Sequence, residues 1–131
     1  MSSTVALPRV AAPFAWRSKG AMTWLEARLA GRGARAAFST RLGGASEGPF
    51  ESLNLGILTD DLRERVVANR EALMRALGRD PTGIAMGRQV HGADVQVRDA
   101  VIADGRPAEV DAQVTASPAL TPLDGVPLSV K

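Results

Sequence analysis

The strongest periodicity in the chain lies between residues 59 and 78. In TDDLRERVVANREALMRALG, Leu62, Val66, Leu73 and Leu77 recur at helical spacing, with Val67 and Met74 beside them. Asp61 followed by Glu64 has the form of a capping box, and acids at that end suit the helix dipole. Gly78 stands where a left-handed C-terminal residue is wanted, and Pro81 stops continuation. Elsewhere the pattern has period two. In IAMGRQVHG, Ile84, Met86, Arg88 and Val90 alternate with Ala85, Gly87, Gln89 and His91, which predicts a strand. ARAAFSTR reads as a strand carrying Ala37, Phe38 and Thr40, and AQVTAS as a short one. Two stretches stay two-valued. MTWLEARLAG puts Trp24, Leu25 and Leu29 on one helical face or forms a strand. DVQVRDAVI extends the preceding strand or returns as a hairpin arm.

Between these elements lie connectors. LGGASEGPFESLNLG is a loop by its Gly, Ser, Pro and Asn content, and IADGRPAEVD is rich in turn residues. Residues 1–20, with Pro8, Pro13 and Gly20, read as a loose leader, and residues 21–131 as the folded part. PLSVK opens one more strand, at which the sequence stops. The order is strand, long loop, helix, strand pair, strand. That predicts an α/β (α+β) fold, a layered mixed β-sheet with flanking helices. One long helix does not cover both faces of such a sheet, so apolar surface is expected to remain exposed.

Composition narrows the function classes. The 131 residues are 45% hydrophobic, enough to bury a core, yet only 4% aromatic, so that core is built from small aliphatic residues. Net charge is +2, and lysine occurs only at Lys19 and Lys131. The arginines are scattered without interleaved aromatics, which argues against nucleic acid as a partner. With no cysteine there is no disulfide framework and no thiolate metal site. No stretch approaches the roughly 20 apolar residues of a membrane span, and the N-terminus lacks a signal-peptide pattern, so a cytoplasmic protein is expected.

The residues that carry chemistry are few. The glycines of FSTRLGG and SEGPFESLNLG bring backbone close to an anion, and Arg41 offers a bidentate contact, but the spacing matches no nucleotide-binding loop. Ser39 and Ser52 have no base partner nearby in sequence. His91 is the single histidine. Catalytic zinc takes about three protein ligands and structural zinc about four, and His91 with Asp94 or Asp111 is a poor set. Asp111, ahead of a strand, reads as a turn residue. By residue type alone His91 is a structural histidine.

Taken together, FSTRLGGASEGPFESLNLG, DDLRERVVANREAL, GRQVHGADV and EVDAQVT resemble the laccase-domain (YfiH-like) family, also called multicopper polyphenol oxidase. The likeness runs from about Pro13 to the last residue. STRxGG, SLNLG, NR and QVHG are specific in this order, though each is weak singly. The resemblance implies a purine nucleoside phosphorylase acting on adenosine, inosine and methylthioadenosine, with a zinc-dependent adenosine deaminase side activity. It implies that His91 is a zinc ligand and that Arg41, Ser39 and Asn54 line the substrate pocket, with His91 and Arg41 as the catalytic pair. Gly43, Gly44 and Gly56 would shape the loop, and Asn69 and Arg70 would brace it.

The same resemblance implies an incomplete site. The family's ADCxP and HAGWRG segments, which supply the other zinc ligands, have no counterpart here, so the chain corresponds to the N-terminal half of a larger domain. The implied partners are a purine nucleoside, phosphate and the remaining half of that domain, with neither nucleic acid nor membrane. Two other readings stand beside this one. The older family name implies copper-dependent oxidation of phenols, which needs several histidines or a cysteine. A non-catalytic half-domain would bind a partner through an open sheet edge.

Overall fold

A computed structural model of the chain describes residues 6–29, 34–98 and 108–123. Phe14–Lys19 (β1), Met22–Leu29 (β2) and Ala34–Ser39 (β3) form an antiparallel sheet in the order β1-β2-β3. Helix Arg63–Ala76 (α1) follows a long loop. Ile84–Arg88 (β4), Val95–Val97 (β5), Ala108–Glu109 (β6), Ala112–Val114 (β7) and Thr121–Leu123 (β8) are the remaining described strands, and Gly48–Phe50 and Pro81–Gly83 form short 3-10 turns. β4 lies between β6 and β8, parallel to both, and β5 pairs with β7 in a separate parallel ribbon. This is an α+β arrangement of small sheets and one helix, as the residue pattern predicts.

The leader reading fails at β1. Phe14 pairs with Ala27 and Lys19 with Met22, leaving Gly20 and Ala21 as a two-residue hairpin turn. Gly20 supplies the positive φ, 59°, that such a turn needs. This tight turn also settles MTWLEARL as a strand, since β2 then has a partner on each side. The period-two order puts Met22, Trp24 and Glu26 on one face, all three buried. Met22 and Trp24 join Leu53, Leu73 and Met74 in the core, with Leu55, Ala72, Ala76, Leu77 and Ile84 packed around them. The described part of DVQVRDAVI is neither continuation nor hairpin arm: β5 finds β7 instead, and residues 99–102 lie outside the described residues. β8 was not legible as a strand, and PLSVK lies outside the described residues.

At the start of α1 the capping box does not form. Leu62 is the N-cap and no side chain caps the helix, because the Asp61 carboxylate is turned into the preceding loop. The C-terminus closes as expected. Gly78 has φ 71°, its N–H donates to the Arg75 carbonyl, and the Arg79 N–H reaches the Met74 carbonyl at 2.8 Å. Two bonds of this pattern form a Schellman ending. Arginines then tie the helix end to both sheets. Arg35 of β3 donates to the Leu77 carbonyl, and Arg79 donates to the Pro118 and Leu120 carbonyls and to Thr121 Oγ1.

The expected apolar exposure is present. Phe38 is 54% exposed on the face of the first sheet opposite α1, and Val95, Val97 and Val114 are 55–70% exposed on the β5–β7 ribbon. Parallel strands usually carry cover on both faces, and among the described residues these valines have none.

Glu26 is the one buried carboxylate in the first sheet, among Arg17, Arg28 and Arg35. Burial pushes its pKa up. Hydrogen bonds from Arg35 and Trp24 and the charges of Arg35 and Arg28 outweigh that, so the carboxyl titrates below its ordinary value. A depressed folded pKa stabilises the fold above the unfolded pKa of about 4.3, and that contribution is lost as pH falls through the folded value. Urea unfolding of wild type and Glu26→Gln at successive pH values tests this. The wild-type advantage at neutral pH should shrink as the solution is acidified below about pH 4.

Candidate functional site

Two separate turns hold the site residues expected from the sequence. The first is the loop from Arg41 to Gly56, which doubles back on itself. The Arg41 carbonyl accepts from the N–H groups of Ser52 and Leu53, both at 2.9 Å, and from Ser52 Oγ at 2.8 Å. The Gly44 N–H donates to Ser52 Oγ, and the Ser46 N–H to the Ser52 carbonyl. Only glycine fits at 44, because a Cβ there would lie 2.0 Å from the Ser52 carbonyl oxygen. Gly43, at φ 96°, packs on the backbone of Met22.

Asn69 of α1, 1% exposed, is the centre of this loop. Its Oδ1 accepts from the Ala45 N–H at 2.7 Å, and its Nδ2 donates to Ser46 Oγ and to the Asn54 carbonyl, both at 2.9 Å. Asp61 accepts from Ser46 Oγ and Asn54 Nδ2. The Ser46 bond, the largest influence, lowers its pKa; desolvation opposes, and Asn54, the Leu62 N–H and the Arg65 charge add to the lowering. Arg70 grips the Leu55 carbonyl through Nε and Nη2. The helix therefore braces the loop, the role the resemblance implies for Asn69 and Arg70.

This bracing changes the reading of individual residues. The N–H groups of Leu42, Gly44, Ala45, Ser46, Ser52, Leu53 and Gly56 all have acceptors within the protein. They are spent on the loop and do not cradle an anion. Asn54 is likewise engaged at both ends of its carboxamide, with Thr59, Asp61 and the Gly56 N–H. The shallow depression over Gly44–Gly48, Glu51 and Ser52 carries two carboxylates and does not favour phosphate. Arg41 differs. Its backbone is fixed, its residue is exposed, and among the described residues its guanidinium has no hydrogen bond or ion pair. Ser39, also exposed, ends β3 two residues earlier.

The second turn follows β4 and presents His91. Here φ is 60°, a left-handed conformation that non-glycine residues seldom adopt. Asp111 holds it there. One carboxylate oxygen accepts from the Val90 N–H at 3.0 Å and the His91 N–H at 2.8 Å, and the other accepts from the Gly92 N–H at 2.7 Å. Burial pushes the Asp111 carboxyl up. The three N–H bonds and the nearby His91 outweigh it, and the net shift is downward. The default turn role for Asp111 understated this: its side chain organises a turn twenty residues away. No hydrogen bond or ion pair among the described residues joins the His91 turn to the Arg41 loop.

As a metal centre the turn is incomplete. Among the described residues no three His, Cys, Asp or Glu side chains come together, and the chain has one histidine and no cysteine. A lone imidazole does not fit zinc's requirement for about three or four protein donors, and the Asp111 oxygens already serve three amides. Among the described residues no helix is long and apolar enough to cross a membrane.

With this geometry the chain matches the family described as multi-copper polyphenol oxidoreductase laccase over residues 35–123, and it belongs to that family. Among its relatives, a purine nucleoside phosphorylase of Streptomyces coelicolor is 48% identical over 84 residues, covering 64% of this chain and 35% of that protein. The crystal structure of YlmD from Geobacillus stearothermophilus is similar with a TM-score of 0.57 and 37% identity, over 66% of this chain and 32% of that one. YfiH from Bacillus licheniformis gives a TM-score of 0.62 at 26% identity, over 80% and 41%. The chain spans about a third of the length of the curated relatives it matches.

Two measurements check the site. Asn69→Ala removes three hydrogen bonds of a buried carboxamide, to the Ala45 N–H, the buried Ser46 hydroxyl and the Asn54 carbonyl, each worth roughly 1 kcal/mol. Urea unfolding should show a loss of about 3 kcal/mol, well beyond that of a surface substitution. Calorimetric titration of zinc into this chain should show no tight stoichiometric site. A tight site abolished by His91→Ala would contradict that.

Proposed function

We propose that this chain supplies the phosphate-facing and histidine-bearing part of a purine nucleoside phosphorylase. Adenosine, inosine and methylthioadenosine are the expected substrates, and hydrolytic deamination of adenosine the expected side reaction. The observation that carries this reading is Arg41: a backbone locked by three hydrogen bonds to its carbonyl, and a guanidinium left free among the described residues. A fixed stem with an open fork suits an oxyanion. The names of the relatives point the same way.

In phosphorolysis a phosphate oxygen bonds to the anomeric carbon as the glycosidic C–N bond breaks. The bonding pair leaves with the purine, which takes up a proton. Positive charge builds on the sugar in the transition state while phosphate remains anionic. Arg41 holds that anion, and with the Gly44, Ala45 and Ser46 amides already bonded within the protein its guanidinium is the loop's main contribution. Ser39 lies beside it along the chain, and Asn54 acts through the loop's shape. His91 stands at the carboxyl end of β4, the end of a parallel sheet where ligands commonly bind. Zinc at His91 needs donors beyond those described, so no step here depends on a metal. The copper-oxidase reading asks for still more donors. The uncovered valines of the β5–β7 ribbon fit a domain completed by further polypeptide, and the cytoplasm suits such an enzyme.

The isolated chain is expected to be inactive, and in the completed enzyme, assay of adenosine turnover with and without phosphate separates the roles. Arg41→Ala should raise the phosphate requirement by about thirtyfold or more, the scale of losing a charge-assisted contact, and should impair deamination less. Equal loss of both reactions removes the phosphate role. Where further polypeptide completes a zinc site at His91, His91→Ala should remove the metal and both activities together, and full activity would return His91 to a structural part.

A further inference from the structure

The His91 turn has a feature that neither the loop chemistry nor the family match assigns. Val90, His91 and Gly92 are exposed, and their amides would otherwise meet water. Instead all three point at the Asp111 carboxylate, at 2.7–3.0 Å. Asp111 is itself held from the other side of the turn. Its N–H and that of Ala112 donate to the Asp94 carbonyl, and the Val110 N–H donates to the Arg88 carbonyl. The segment from Arg88 to Asp94 is thus closed around one side chain. A left-handed His91 is costly for an L-residue, and a carboxylate gathering successive N–H groups is the interaction that offsets it. Gly92 permits the approach, since a Cβ there would lie 3.2 Å from Asp111 Oδ2.

We infer that Asp111 is a positioning residue for His91: its carboxylate sets the backbone conformation that aims the imidazole, without touching substrate. The role in turnover rests on His91 serving the reaction proposed above, whereas the hold on the turn does not. Asp111 belongs to EVDAQVT, so two motifs far apart in sequence act as one unit.

The test uses the isotope-labelled chain, in which His91 is the only imidazole and its resonances are unambiguous. In Asp111→Ala, amide exchange at Val90, His91 and Gly92 should accelerate about tenfold or more, the scale of losing a hydrogen bond to a charged group. The imidazole signals should move toward those of an unstructured peptide while α1 amides keep their protection. Asp111→Asn keeps one acceptor oxygen but turns an NH2 toward Gly92. It should restore Val90 and His91 and leave only Gly92 unprotected, a pattern that decides the matter even where Asp111→Ala fails to fold. Unchanged exchange and unchanged imidazole signals in the alanine variant overturn the inference. In the adenosine assay, turnover should fall at saturating phosphate with the KM for phosphate little altered. Full turnover in Asp111→Ala where His91→Ala has none also overturns it. Full turnover in His91→Ala instead removes the role of both residues in the reaction, and the exchange data then report the turn alone.

Discussion

A neutral carboxamide with almost no solvent access has few ways to be satisfied, and Asn69 uses three of them on one loop. Because the partners are at Ala45, Ser46 and Asn54, both arms of the loop are drawn to the same helical turn. The helix can serve this way because its contacts one turn further along the same buried side are apolar: Leu73 and Met74 are sealed against Met22, Trp24 and Leu53. Water would compete for the same groups, so the network depends on the core that excludes it. Local order at Arg41 therefore rests on tertiary packing as well as on the loop's own residues.

Charge is handled by the same logic. Two carboxylates with little freedom, Asp61 and Asp111, are each surrounded by donors, and both titrate below their ordinary values. Neither sits in an ion pair that defines it. They accept from hydroxyl, carboxamide or backbone groups and so fix geometry, where a flexible salt bridge would fix little. Glu26 is the contrasting case, matched by three guanidinium groups between sheet and solvent.

Much of this was legible in the sequence and some was not. The helix, its Gly78 ending and β4 follow from periodicity, which is a local signal. β1 was missed because a short strand after prolines has no signature until Gly20 closes the hairpin. β5 was ambiguous because parallel partners come from distant sequence and leave no local mark. The capping box at Asp61 and Glu64 was misread for a physical reason: Ser46 and Asn54 compete for the same carboxylate and win. At the site, the glycines of the loop were readable, but not that the Gly44, Ala45 and Ser46 amides are bonded within the protein. Asp111 looked like any acid before a strand, because its three amide partners are twenty residues earlier.

Parallel pairing has a further consequence, in time instead of space. β1, β2, β3, the loop and α1 find their partners among residues up to Ala76, through antiparallel pairing of neighbouring strands and one helix. β4 cannot pair until Ala108 and then Thr121 have been made. On a ribosome, where polypeptide emerges from its N-terminus, the Arg41 loop would mature while the His91 turn still lacked the aspartate that closes it.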